Sequence, residues 1–95
     1  MMLRVTIPVE KGNAAIKDGS LARIFQSALQ ELKAEAAYFT AMDGMRTGLI
    51  FFDLPHASDI PRIAEPLFMG LDAALEFSPV MNADDLKAGL GKVKV

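Results

Sequence analysis

The sequence contains no cysteine and no tryptophan, and only one histidine and one tyrosine. Without cysteine there is no disulfide framework, no thiol nucleophile and no thiolate-ligated metal. A lone histidine leaves only carboxylates as further metal ligands, so no metal and no cofactor is expected. Long apolar runs are also missing. The longest is Leu49-Ile50-Phe51-Phe52, far below the ~20 residues that cross a bilayer. Residues 1–6 pass from Met-Met-Leu directly to Arg4 and Thr6 without a secretory apolar core. No membrane partner is expected, and the cytoplasm is the expected compartment.

Charge of one sign is lacking too. Ten basic and twelve acidic residues are interspersed, so there is no basic footprint for nucleic acid. Phosphate-binding glycine motifs are absent: "KGN" lacks the spacing, and "GLGK" follows a helical pattern instead of opening one. Asp84-Asp85 suits the first turn of a helix better than a cation site, because adjacent helical side chains diverge.

What is present is a globular composition, 52% hydrophobic and 23% charged over 95 residues. One domain, residues 1–95, is expected. A chain of this length buries roughly 60–65% of its unfolded surface, so a covering partner would add to a small stability margin.

Residues 3–9, "LRVTIPV", alternate apolar and polar at period two and predict a strand. Gly12-Asn13 suggests a turn and a helix cap. Leu21, Ile24, Phe25, Ala28, Leu29 and Leu32 then recur at helical spacing. The pattern predicts one helix over about 13–33, weak at Gly19, or a loop followed by a helix capped at Ser20. "AEAAYFTAMDG" and "MRTGLIFFDL" predict two strands joined at Asp43-Gly44, a strong hairpin signal. Ser58 is the expected cap of a further helix that tolerates Pro61 in its first turn and kinks at Pro66. "LEFSPVM" predicts a fourth strand and "NADDLKAGLG" a short helix capped by Asn82 and stopped by Gly89 or Gly91.

The order β-α-β-β-α-β with a short C-terminal helix predicts an α+β, ferredoxin-like fold: a four-stranded antiparallel sheet with both helices on one face. The other face collects Arg4, Thr6, Tyr38, Thr40, Met42, Glu76, Ser78 and Val80. To these it adds one of two third-strand pairs, Leu49 with Phe51 or Ile50 with Phe52. An open sheet face is usually polar. This mixture predicts a second copy as cover, with Ile50, Phe52 and Val80 in the interface and polar groups lining a cavity.

The stretch from "LRVTIPVEKGN" through "RTGLIFFDL", "IPRIAEPLFMGLDAALEFSPVMNADDL" and "AGL", about residues 2–90, resembles small bacterial members of the dimeric α+β barrel superfamily. The resemblance implies a homodimer whose sheets form a barrel, with clefts that bind small organic molecules. Members include cofactor-free monooxygenases, isomerases and haem-binding branches. The missing tryptophan departs from the monooxygenases that use one in the pocket.

Arg4, Thr6, Tyr38, Arg46 and Ser78 are the candidate ligand-binding residues, offering donors for a carboxylate or phenolate and a phenol for stacking. Glu76 and His56 are candidate bases. His56 follows a strand and is flanked by Asp53 and Asp59; Asp53 is the expected group to orient its imidazole, whereas the helix dipole alone explains Asp59. A solvated loop is the favoured reading of His56, and an Arg4–Glu76 ion pair explains those two. The expected role is binding a small apolar or aromatic organic molecule. The alternatives are a cofactor-free enzyme of the monooxygenase or isomerase type and a protein-interaction module. RNA recognition through this topology needs alternating third-strand aromatics, and "RTGLIFF" has glycine and isoleucine there.

Overall fold

A computed structural model describes residues 1–95. The strands are β1 (Met2–Ile7), β2 (Ala36–Met42), β3 (Met45–Phe51) and β4 (Ala74–Ser78). The helices are α1 (Val9–Lys17), α2 (Ser20–Leu32), α3 (Ile60–Leu71) and α4 (Ala83–Leu90), with a short 3-10 turn at Ala57–Asp59. The strands form one antiparallel sheet in the order β2-β3-β1-β4. Each strand–helix–strand connection therefore brackets a strand of the other: β3 lies between β1 and β2, and β1 between β3 and β4. The fold is α+β, with an open four-stranded sheet. No helix is long and apolar enough to cross a membrane.

Local chemistry explains where the elements begin and end. The first strand stops at Ile7, short of the expected Val9, because Pro8 (φ −56°) caps α1 and its carbonyl accepts from the Gly12 N–H. Gly12 consequently lies inside a helix and not in a turn. A Cβ there would come within 2.6 Å of the Arg46 guanidinium, so glycine lets that side chain cross the helix. The expected single helix is two. The chain breaks at Asp18-Gly19, where Gly19 is left-handed (φ 79°) and the Ser20 N–H donates to the Asp18 carboxylate at 2.8 Å. Hydrogen bonds from Ser20 hold the Asp18 carboxyl below its ordinary pKa.

The hairpin turn has both central residues at positive φ, Asp43 at 54° and Gly44 at 77°, which a two-residue primed turn requires. Ser58 lies in the 3-10 turn, and α3 is instead preceded by Asp59 without a side-chain cap. That helix runs unbroken through Pro66 and buries Ile63, Ala64, Leu67 and Leu71. Asn82 caps α4 as expected, in a reciprocal box with Asp85.

The core lies between the sheet and the helices. Leu3, Val5 and Ile7 of β1 meet Ile50 and Phe52 from the third-strand segment, Phe25 and Leu32 of α2, and Leu67 and Leu71 of α3. Phe25 reaches the edge strand, meeting the Phe39 ring edge-on at 5.3 Å over Gly48. Ile50 and Phe52 are 0% and 2% exposed, which corrects their expected place in the open-face interface. The register pairs Leu3 with Ile50, so Ile50 shares the helix-facing side of Leu3, and Phe52 follows with the same parity.

Candidate functional site: the open sheet face

Strand register places the open-face residues in rows. Ala36, Phe51, Met2 and Ser78 form one; Tyr38, Leu49, Arg4 and Glu76 the next; Thr40, Thr47, Thr6 and Ala74 a third. Met42 and Met45 close the hairpin end. Thus Leu49 and Phe51 are the third-strand apolar residues of this face. Of the expected ligand-binding residues, Arg4, Thr6, Tyr38 and Ser78 share it.

Arg46 does not. It pairs with Ile7 and Ala41 on the helix-facing side, where its Nη2 donates to Asn13 Oδ1 at 3.0 Å. Parity decides this, since an even-numbered third-strand residue shares the side of Ile50. Beside Arg46, the residues Leu21, Phe25, Phe39 and Gly48 line a groove of about 430 Å³ at the β2 edge. Sequence reading missed this groove. Its signal is Gly48, whose missing side chain admits the Phe25 and Phe39 rings.

On the open face, Arg4 and Glu76 are directly opposite across β1 and β4 and form an ion pair at 2.5 Å. The carboxylate of Glu76 is therefore engaged by a guanidinium, not aimed at a substrate proton. Thr47 is buried, and its hydroxyl donates to the Met45 carbonyl at 3.1 Å. Tyr38 is 63% exposed and meets Phe51 edge-on at 6.2 Å. These two rings line a concavity of about 460 Å³ together with Val80, Met81, Asn82 and Asp85 beyond β4. Val80 thus borders the open face from outside the sheet.

His56 is elsewhere. It is exposed, its carbonyl accepts from the Asp59 N–H at 3.0 Å, and neither Asp53 nor Asp59 bonds to its ring. Asp59 lies 3.9 Å from Arg62, which pairs with Glu31 across α2 and α3. No three acidic or histidine side chains converge as metal ligands. No buried side-chain polar atom lacks a hydrogen-bond partner, so no interior polar group is left facing a vacancy.

No family model matches this chain, and neither does a curated protein or a solved structure. Argument about its role therefore rests on the open face: aromatic and aliphatic groups around one cross-strand ion pair.

Proposed function

We propose that the chain is a ferredoxin-like subunit of a homodimeric α+β barrel, and that its paired open faces enclose a site for a small apolar or aromatic carboxylic acid. The observation that carries this reading is the composition of the open face. Leu49, Phe51 and Tyr38 surround the Arg4–Glu76 pair on a side that no helix covers. The interleaved strand order supports the ferredoxin-like assignment. Covering the apolar members removes them from water at about 25 cal/mol per Å². The ligand's carboxylate competes with Glu76 for Arg4, its apolar body packs on Phe51 and Tyr38, and Thr6 and Ser78 supply hydroxyls at the margins. Binding is preferred over catalysis because His56 has no orienting carboxylate and Glu76 is already paired.

Light scattering during gel filtration across a broad concentration range tests the dimer, which should persist at micromolar concentration. Thermal melting against a set of aromatic and aliphatic acids tests the site. A ligand at one hundred times its Kd should stabilise the folded state by about 2.7 kcal/mol. A monomer at all concentrations, or a melting point indifferent to every acid, overturns the corresponding half.

A further inference from the structure

The strand β2 is an edge of the sheet, and its outer side pairs with no other strand. Register decides which of its backbone groups face outward. The Phe52 N–H donates to the Met1 carbonyl, and the Phe51 carbonyl accepts from the Glu35 N–H at 2.8 Å. In the third-strand segment, even-numbered residues therefore direct their backbone groups to β1 and odd-numbered ones to β2. Tyr38 pairs with Leu49 and Thr40 with Thr47, so both spend their N–H and C=O on β3. Ala37, Phe39 and Ala41 lie between these positions and present theirs to the outside.

That outward ladder is uncovered. Phe39 is 56% exposed, and Ala41 is exposed beside it. Residues 79–95 extend beyond the body and are exposed throughout, and α4 buries none of its side chains. The two edges of the sheet are also built differently. The strand β4 has five residues, carries Glu76 at its centre and is followed by Pro79. Short length, charge and proline are devices that keep an edge from pairing. The strand β2 has seven residues, "AAYFTAM", with no charge and no proline among them. Unpaired N–H and C=O groups at alternate positions fit one kind of occupant, an extended strand.

We infer that β2 pairs antiparallel with β2 of a second copy, across a two-fold axis at Phe39. Symmetry selects this occupant. The outward residues are evenly spaced about Phe39, so Phe39 faces Phe39 of the second copy and Ala37 faces its Ala41. Each such pair exchanges two hydrogen bonds, which satisfies every outward group of both strands. Side chains match as well. The two Phe39 rings meet, each already set edge-on against Phe25, Tyr38 lies opposite Thr40, and no like charges face each other. The contact also closes. Once both β2 edges are used only the two β4 edges remain, so the product is a discrete pair and not a fibre. Edge pairing leaves the open faces free, and this inference does not rest on the dimer proposed above. Backbone hydrogen bonds contribute modestly in water, so the edge contact needs higher concentration than the face-to-face one.

The test uses the full chain carrying Phe51→Asp, which takes face pairing out of the measured mass. Sedimentation equilibrium well above the micromolar range should show monomer and dimer in exchange. Over the same range the Phe39 and Ala41 amides should become slower to exchange with deuterium. Adding Phe39→Lys or Phe39→Glu sets like charges opposite one another, and each should raise the Kd about tenfold or more. Mixing the two variants should restore association, because unlike charges then meet at the axis. Circular dichroism checks folding. Should either variant misfold, Ala41→Pro removes one outward N–H and no bond within the chain, and should weaken association alone. A monomer at every concentration overturns the inference and leaves the edge to a strand from another protein. Association that no edge variant weakens, or that mixing fails to restore, overturns it too, as does growth into larger species without limit.

Discussion

Leu49 and Ile50 are neighbours of similar size in the same strand, yet they occupy opposite environments. Ile50 is sealed among Leu3, Leu67 and other core side chains, whereas Leu49 lies half-buried beside Tyr38 and Arg4 on the uncovered side. The pair teaches that hydrophobicity in β3 serves two purposes. One face supplies the core on which folding depends. The other exceeds what folding the single chain requires, and that excess makes the open face a candidate interface.

The largest expected contrast comes from breaking this pair one member at a time. Ile50→Ala should cost about 2–5 kcal/mol in urea unfolding, because it removes fully buried methyl groups and leaves a cavity. Leu49→Ala should cost less than half as much when the protein is diluted to monomer. A loss as large as that of Ile50 would show that Leu49 belongs to the core. Sharper still is a charge on the open side: Phe51→Asp should convert the proposed dimer to monomer in light scattering while the circular dichroism spectrum is kept. An intact dimer would place the interface elsewhere.

A smaller effect is expected at the Arg4–Glu76 pair. Both side chains are over a third exposed, and exposed pairs contribute only about 0–1 kcal/mol. Glu76→Gln should therefore leave the melting point nearly unchanged while tightening the binding of a carboxylic acid, since Arg4 loses its competitor. Weaker binding would indicate that Glu76 itself holds the ligand.

The smallest effect concerns Asp18, away from both faces. Its folded pKa is depressed by hydrogen bonds from Ser20. Its stabilising contribution is therefore present above the ordinary value of 3.8 and fades as pH falls through the lower folded value. Asp18→Asn should flatten the stability profile below about pH 4 without altering dimerisation. An unaltered acid limb would mean that the Ser20 contact is not maintained in solution.

Much of the fold was legible from local signals. Alternation in residues 3–7, the α2 stripe, the Asp43-Gly44 turn and the Asn82 cap each depend on neighbours a few residues apart, and each stands where expected. The misjudged boundaries share a cause. Gly12 looks like a breaker, but α1 starts at Pro8 and runs through it, and its missing Cβ leaves room for Arg46 from a distant strand. Ser58 looks like a cap, but the chain uses a 3-10 turn first. The open-face list was recovered apart from Val80, which lies beyond the end of β4, and Arg46, Ile50 and Phe52, all three even-numbered residues of the third-strand segment. A run that is apolar at every position from 49 to 52 carries no period to indicate which side faces inward.

The sequence by itself determined the kinds of element, their order and the presence of more apolar surface than one helical layer covers, because propensity, turn chemistry and periodicity act over short range. Only the tertiary structure decided which side of β3 is core, that Arg46 belongs with Asn13 and not with Arg4, that Glu76 is held by a guanidinium, and that residues 79–95 extend beyond the body. The first three depend on register between strands far apart in sequence. A shift of one residue in that register exchanges the two faces.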